Sequence, residues 1–92
     1  MLISPDEINK SLSNRGWIYK QKKILKKYPF DAYIKGINFV NKVAELAEKN
    51  NHHPEMIVYW DNIEVSITSH EMGGVSTKCV NLANQIDNVI YI

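Results

Sequence analysis

The sequence of 92 residues has little of what marks secreted, membrane or nucleic-acid-binding chains. A single cysteine, Cys79, excludes an intrachain disulfide and favours a reducing compartment. The net charge of +1, from 11 basic and 10 acidic residues, gives no indication of a general nucleic-acid binder. No apolar run approaches the roughly 20 residues that span a bilayer, and the N-terminus lacks the basic and apolar segments of a signal peptide. We therefore expect a cytoplasmic protein.

What the chain does have is the composition of an ordinary globular domain. Hydrophobic residues make up 45% of it and charged residues 23%. The length fits one domain, spanning 1–92, with a modest core. Because a small core leaves apolar surface to cover, and the C-terminal segment "VIYI" (89–92) is apolar, we expect a homodimer or homotetramer.

The first third of the sequence predicts a short helix and a β-hairpin. Ser4 is a candidate N-cap, Pro5 suits the first helical position, and Glu7 completes a capping box. Gly16 is a stop signal for this helix. From Trp17 to Tyr28, two segments rich in aromatic and branched residues flank the polar "KQKK", which is typical of two strands joined by a turn.

The strongest pattern is a helix in "FDAYIKGINFVNKVAELAEKN". Asp31 is its candidate N-cap, and Asn50 or Asn51 can end it in a left-handed turn. Gly36 is a weak point that permits close approach by a neighbouring backbone. Apolar residues at spacings of three and four predict the buried side, formed by Tyr33, Ile37, Val40, Ala44 and Ala47.

A second hairpin and a last helix complete the chain. Asp61 and Asn62 suit a two-residue turn, because both residue types tolerate positive φ. From Ile63 to Thr68 hydrophobic and polar residues alternate, which is the pattern of a half-buried strand. The resulting order, α-β-β-α-β-β-α, predicts an α+β fold in which three helices pack on one face of a four-stranded antiparallel sheet. The last helix has Ser76 as its candidate cap and an inner face formed by Val80, Ala83 and Ile86.

All three histidines are predicted to meet at the open end of the second hairpin. With a two-residue loop (61–62), the strand ladder sets His53 against His70, and opposed residues have Cβ atoms roughly 4.5–5.5 Å apart. Pro54 favours an extended conformation at the residue before it. Glu48, on the last turn of the long helix, can orient an imidazole. The sequence therefore predicts three imidazoles and one carboxylate at a helix-to-strand junction.

These residues carry a resemblance to the pterin-4a-carbinolamine dehydratase family. The motif E-x-x-x-H-H-P (48–54) is followed by an aromatic residue at Trp60 and by a strand that ends in "SH" (69–70). The resemblance extends to "GW", "VAELAEKNNHHPE" and "NLANQI". It implies dehydration of a 4a-hydroxytetrahydropterin to quinonoid dihydropterin and water, without metal or organic cofactor, and association into dimers or tetramers. In one branch of the family the protein is also a dimerisation partner of a homeodomain transcription factor.

The resemblance also implies roles for the site residues. The reaction needs a proton delivered to the 4a-hydroxyl oxygen and one removed from N5, and an imidazole, with an ordinary pKa near ~6.5, serves either purpose. By resemblance, His52 and His70 form the acid–base pair, while His53 binds and orients the pterin. Which histidine donates and which accepts stays open. The implied substrate-binding residues are Glu48, Pro54, Trp60 and Ser69.

The sequence departs from the family pattern at Cys79. At this position, nine residues after the strand-end histidine, family members usually carry an aspartate that can cap the last helix near the site. Cysteine is a poor acceptor and brings no charge to the positive end of the helix. We therefore expect a less well capped helix and, if the thiol is exposed, an unusually reactive cysteine.

Three other interpretations of the same residues remain open. The histidines and Glu48 could hold zinc, although adjacent histidines converge poorly on one ion. The lysines between Lys20 and Lys27 could bind nucleic acid, although exposed lysines on a hairpin more often keep strand edges unpaired. Finally, the same fold could act as a non-catalytic dimerisation or binding module.

Overall fold

The computed structural model describes residues 1–90, in which three helices lie on one face of a four-stranded antiparallel sheet. The elements are α1 (Pro5–Leu12), a short 3-10 turn (Ser13–Arg15), β1 (Ile18–Lys20), β2 (Lys23–Pro29), α2 (Tyr33–Asn50), β3 (Glu55–Val58), β4 (Asn62–Ile67) and α3 (Thr77–Val89). The strand order is β1-β2-β4-β3, so that β1 and β3 are the edges. This architecture confirms the predicted α+β fold. Within residues 1–90, no helix has both the length and the apolar character needed to cross a membrane.

The core lies between the helices and the inner face of the sheet. Alternate residues of β4 point inward, because Ile63, Val65 and Ile67 are buried while their neighbours are partly exposed. Ile8 and Leu12 of α1 are buried, as their spacing of four predicts. The other large core side chains include Trp17, Ile24, Tyr28, Phe39, Val43, Val75, Leu82 and Ile86. Burial of these apolar side chains holds the helices against the sheet.

Two predicted local structures near the N-terminus are confirmed. Ser4 Oγ accepts a hydrogen bond from the Glu7 backbone N–H at 3.2 Å and lies 3.3 Å from Glu7 Oε1, so Ser4 caps α1. The β1–β2 hairpin turns at Gln21 and Lys22, which both have positive φ, 51° and 65°. Thr68 Oγ1 donates a hydrogen bond to the Lys22 carbonyl at 2.7 Å and ties this turn to the chain beyond β4.

The buried side of α2 differs from the predicted one. Tyr33 is 56% exposed and Ala44 is also exposed, whereas the buried residues of the helix are Gly36, Phe39, Val43 and Ala47. The physical reason lies near the start of the helix, where Gly36 packs closely against Ile63 of β4. A Cβ atom on Gly36 would lie 3.3 Å from Ile63 Cδ1. The missing side chain lets a side chain of β4, rather than a backbone, approach closely. Only Ala47 of the five predicted residues is fully buried.

The predicted cap of α2 is also wrong. Ala32 is the N-cap residue and makes no side-chain capping hydrogen bond. Asp31 instead forms an exposed ion pair with Lys35, with Oδ1 and Nζ 2.8 Å apart. This hydrogen bond to Lys35 lowers the pKa of the Asp31 carboxyl. Because the pair is exposed to solvent, it contributes little to the stability of the helix.

The predicted register of the β3–β4 hairpin is wrong by two residues. Val58 pairs with Ile63, so that four residues rather than two lie between the last paired residues of the hairpin. Because side chains alternate with a period of two, a shift of two keeps every residue on its predicted face. Extended to the open end of the hairpin, the ladder sets His53 opposite Thr68 and not opposite His70. The register differs because the loop is longer than predicted, and the residue types in the loop did not indicate its length.

The inner face of α3 is largely the predicted one. Ala83 and Ile86 are buried, whereas Val80 is only partly buried and Cys79 is fully buried. Ser76 is the N-cap residue, as predicted, but its side chain makes no capping hydrogen bond to the helix. The first turn of α3 is therefore less completely capped than that of α1.

A buried carboxylate, which the sequence patterns did not single out, fixes α3 to the sheet. Asp87 Oδ2 accepts a hydrogen bond from Trp17 Nε1 at 3.0 Å. Its Oδ1 accepts hydrogen bonds from Tyr28 Oη at 2.6 Å and Lys26 Nζ at 2.8 Å. Burial alone would raise the pKa of Asp87, but these hydrogen bonds outweigh burial and lower the pKa. An acidic residue next to Ile86 on the apolar side of a helix is the signal that could have revealed it.

The apolar C-terminal segment is described only as far as Ile90. α3 ends at Val89, and both Val89 and Ile90 are partly buried. Tyr91 and Ile92 lie outside the described residues. The expectation that "VIYI" needs cover from a second subunit therefore stays a prediction.

Candidate active site

The adjacent histidines are positioned by the turn that ends α2. Asn51 adopts the left-handed conformation, with φ 49° and ψ 43°. The backbone N–H of His52 then donates a hydrogen bond to the Ala47 carbonyl at 3.1 Å, and that of Asn51 donates to the Glu48 carbonyl at 3.3 Å. Asparagine tolerates this conformation better than most residues, and the pattern is a common helix ending. The chain therefore reverses sharply, and the two imidazoles leave the helix end in different directions.

His52 turns inward and contacts α3. Its Nε2 lies 3.3 Å from the sulfur of Cys79, and the histidine is partly buried. Burial lowers the pKa of His52, and the positive charges of Lys78 and His53 lower it further, while Glu71 acts in the opposite direction. At neutral pH the ring is therefore held in its neutral form.

His53 turns outward and pairs with the last turn of α2. Its Nε2 lies 2.6 Å from Glu48 Oε2, and both side chains are more than half exposed. Glu48 therefore orients an imidazole, as its position on the last helical turn predicts, and the imidazole is that of His53. Because the pair is exposed, it fixes the direction of the ring more than it stabilises the fold.

His70 comes from a tight loop between β4 and α3. The Ser69 backbone N–H donates a hydrogen bond to the Gly74 carbonyl at 2.9 Å, and the Gly73 N–H donates back to the Ser69 carbonyl at 2.9 Å. Gly73 has φ of 72°, a conformation that favours glycine. Ser69 Oγ also accepts a hydrogen bond from the Met72 N–H at 3.3 Å. The loop thus presents His70 at its exposed tip.

The three histidines line one open cavity of about 320 Å³. Its volume lies within the usual range for small-molecule sites. The predicted convergence therefore occurs, although the loop after β4, and not the strand register, brings His70 to the other two. A larger hollow of about 520 Å³ lies beside Asp87 and contains no histidine. The wall of the histidine cavity also includes Asn51, Thr68, Ser69, Glu71 and Lys78.

Three of the four predicted substrate-binding residues, Glu48, Pro54 and Trp60, do not line this cavity. Trp60 is 76% exposed in the loop between β3 and β4, at the far end of β3. Seven residues of extended chain separate it from His53, which corresponds to roughly 20 Å. Pro54 continues the chain from His53 into β3 and does not line the cavity. Ser69 thus lines the cavity together with the histidines, and Glu48 is connected to it through its contact with His53, whereas Trp60 is not part of the group.

Other predicted features are placed as follows. Cys79 is fully buried, so the condition under which its thiol would be unusually reactive is not met.

Lys22 and Lys23 line a second hollow of about 370 Å³ that shares Thr68, Ser69 and His70 with the histidine cavity. Within residues 1–90, no three His, Cys, Asp or Glu side chains are grouped so that they could hold a metal ion.

Comparison with related sequences shows which family this chain matches. The family model for pterin 4 alpha carbinolamine dehydratase matches residues 1–89. A relative from Sulfurisphaera tokodaii is 35% identical over 85 residues, which cover 92% of this chain and 88% of the relative. One from Prochlorococcus marinus is 33% identical over 90 residues, which cover 97% and 95%. Both carry the name "Putative pterin-4-alpha-carbinolamine dehydratase".

Solved structures give the same result. A Brucella melitensis protein described as a transcriptional coactivator/pterin dehydratase superposes with a TM-score of 0.86 at 25% identity, covering 98% of both chains. A pterin dehydratase-like protein described as a RuBisCO assembly factor in the alpha-carboxysome superposes with a TM-score of 0.67, covering 80% of this chain and 86% of that one. At 16% identity the second likeness shows the fold alone. Taken with the family match over residues 1–89, these comparisons show that the chain belongs to the pterin 4 alpha carbinolamine dehydratase family.

Proposed function

We propose that this protein catalyses the dehydration of a 4a-hydroxytetrahydropterin to quinonoid dihydropterin and water. The observation that carries the proposal is the shared cavity of His52, His53 and His70. The histidines come from two segments separated by the whole β3–β4 hairpin. Family membership supports the same reaction, because the matched family is named for it.

The reaction requires two proton movements on neighbouring atoms of the pterin. The bond from C4a to its hydroxyl oxygen breaks, N5 loses its proton, and a double bond forms between C4a and N5. Imidazoles are suited to both movements at neutral pH, and a positioned acid or base contributes about 10²–10⁴-fold in rate. We assign His52 and His70 to the acid–base pair, since they face the cavity from opposite segments of the chain.

We assign His53 to binding and orienting the pterin. Its Nε2 is engaged by Glu48 at 2.6 Å, which leaves the other ring nitrogen for a contact with substrate. A carboxylate that accepts a hydrogen bond from one nitrogen fixes which tautomer the ring adopts. Ser69, whose backbone closes the loop that carries His70, lines the same cavity and completes the proposed site.

The direct test is a measurement of dehydration on freshly generated 4a-hydroxytetrahydropterin. The wild-type protein should accelerate the loss of water well above the uncatalysed rate at neutral pH, and a His52→Gln/His70→Gln double variant should not. Circular dichroism of the double variant provides the control for folding. A wild-type rate equal to the uncatalysed rate would contradict the proposal and favour the alternative, a non-catalytic binding module with the same fold.

We also propose that the protein forms a homodimer or homotetramer. Strand β3 is a sheet edge with unpaired backbone groups, and such edges readily pair with another chain. The strand and the loop after it expose four consecutive apolar or aromatic residues, Ile57, Val58, Tyr59 and Trp60. A second copy that pairs along β3 would cover this surface. The predicted contact of Trp60 with pterin therefore depends on a cavity contributed by another copy.

A further inference from the structure

A short chain of polar side chains runs from the start of α3 to His52. Ser76 Oγ lies 3.5 Å from Cys79 Sγ, which in turn lies 3.3 Å from His52 Nε2. Ser76 and Cys79 are both buried, with exposed fractions of 2% and 0%. Both sulfur contacts are within hydrogen-bonding distance for a thiol, which has one S–H donor and a weakly accepting sulfur. Nε2 of His52 is therefore connected to a buried hydroxyl through a single sulfur atom.

The direction of these hydrogen bonds follows from where each proton can go. Within residues 1–90, the Ser76 hydroxyl has Cys79 Sγ as its one hydrogen-bond partner. A buried hydroxyl whose proton has no acceptor costs free energy, so Ser76 donates to the sulfur. Among the described residues the thiol proton then has one acceptor, the lone pair of His52 Nε2. If Nε2–H donated to the sulfur instead, the buried thiol proton would have no acceptor among these residues. The opposite direction would leave the Ser76 hydroxyl proton without an acceptor among the described residues.

We propose that Cys79 is a positioning residue, which donates its S–H to Nε2 of His52 and so holds this histidine in the tautomer with the proton on Nδ1. Burial, which lowers the pKa of His52, supports the neutral ring that this arrangement requires. Nε2 is occupied by the buried sulfur, so Nδ1 is the nitrogen that His52 offers to the cavity. His52 thus presents an N–H donor to a bound molecule and has no lone pair there with which to act as a base.

This assignment rests on the proposed dehydratase function. It specifies which histidine donates a hydrogen bond to the leaving oxygen and which accepts the N5 proton. His70 lines the cavity and has no hydrogen bond to any described residue, so its lone pair is available for the N5 proton. As that proton moves to His70, the N–H electron pair forms the double bond between N5 and C4a. The C4a–O electron pair leaves with the oxygen, which accepts the hydrogen bond from His52 Nδ1–H. The proton held by His70 then completes the water molecule, so that no net proton is gained or lost.

The tautomer is measured on the free protein by long-range ¹H–¹⁵N correlation spectroscopy, with His52 assigned by comparison with His52→Gln. In the wild type, Nδ1 should show the shift of a protonated nitrogen and Nε2 that of an unprotonated one. Cys79→Ser retains a donor and should keep this pattern. Cys79→Asp replaces the donor with a group that only accepts, and should place a proton on Nε2. A wild type with the proton on Nε2, or a Cys79→Asp variant with Nε2 unprotonated, would overturn the proposal.

The pH dependence of kcat gives a second readout that a purely structural role would not change. In Cys79→Asp, Nδ1 carries a proton only while the His52 ring is cationic. The value of kcat should therefore fall by about tenfold or more as the pH rises through the pKa of His52, since a wrong tautomer costs up to about 10⁴-fold in a known hydrolase. Wild type and Cys79→Ser should not show this fall in kcat at alkaline pH. The charged neighbours Lys78, His53, Glu71 and His70 are the same in all three proteins.

The two measurements separate this proposal from the proposed function. The spectra need no substrate and decide the tautomer whether or not the protein turns over pterin. Absence of dehydration with the predicted tautomer pattern would overturn the function alone. Dehydration with identical pH profiles for Cys79→Asp and the wild type would overturn the positioning role of Cys79 alone. Thermal unfolding of each variant provides the control for folding.

Discussion

The carboxylate of Glu48 and the imidazole of His53 face each other across the turn that ends α2, with Oε2 2.6 Å from Nε2. Both side chains are exposed, and His53 also lines the histidine cavity. His52, the residue before His53, instead points inward and contacts Cys79. Two adjacent histidines therefore have different partners and, in the proposed reaction, different roles.

This division predicts an order of effects among alanine variants. His52→Ala and His70→Ala should each lower kcat by about 10²–10⁴-fold, because each removes a proposed proton-transfer or donor group. His53→Ala and Glu48→Gln should act mainly on KM and should resemble each other, because both disturb the same pair. Steady-state kinetics on the four variants provides the measurement. Near wild-type kcat in both His52→Ala and His70→Ala would refute the assignment.

The charges around His52 predict opposite shifts for a matched pair of variants. Lys78 lowers the pKa of His52 and Glu71 raises it. Lys78→Gln should therefore raise the pKa of His52, and Glu71→Gln should lower it. Titration of the His52 ring signals by NMR, at low ionic strength to limit screening, provides the measurement. Shifts in the same direction for both variants would show that the charges act through a change in structure.

The hydrogen bonds to Asp87 predict a large effect on stability. Asp87→Asn should lower the free energy of unfolding by about 3 kcal/mol at neutral pH, because it removes the charge that Lys26 faces in a largely buried site. The folded-state pKa of Asp87 is lowered, so this stabilisation is complete above the unfolded value of about 4 and is lost as the pH falls through the folded value. The difference between wild type and variant should therefore shrink below about pH 4.

Chemical unfolding at several pH values provides this measurement. Asp31→Asn removes an exposed carboxylate whose pKa is also lowered, and as the matched control it should change stability little. Equal losses for the two variants would mean that burial of Asp87 is not the cause.

The exposed edge of the sheet predicts the oligomeric state. Light scattering should give the mass of a symmetric oligomer at micromolar concentration. Ile57→Lys together with Val58→Lys should shift the protein toward the monomer, because lysines on an edge strand oppose pairing. Ile18→Lys, on the opposite edge at β1, is the matched control and should leave the oligomer intact. Dissociation by Ile18→Lys alone would move the interface to β1.

Local sequence signals determined most of the helices and strands of this protein. The N-cap at Ser4, the two hairpins and the alternation in β4 all depend on interactions between residues close in sequence, and the structure confirms them. The motif E-x-x-x-H-H-P and the third histidine predicted that three histidines would line one cavity, although the strand register used for that prediction was wrong. These features need only the period of a helix or strand and the chemistry of a turn.

The tertiary structure alone decided which faces and atoms make contact. The buried side of α2 follows from Ile63 packing against Gly36, and the burial of Asp87 follows from donors far away in the sequence. The contact between Cys79 and His52 joins α3 to the end of α2, and no local pattern records it. Such contacts depend on how separate elements fit together in space. Sequence periodicity fixes the faces available to each element, whereas packing selects the one that is used.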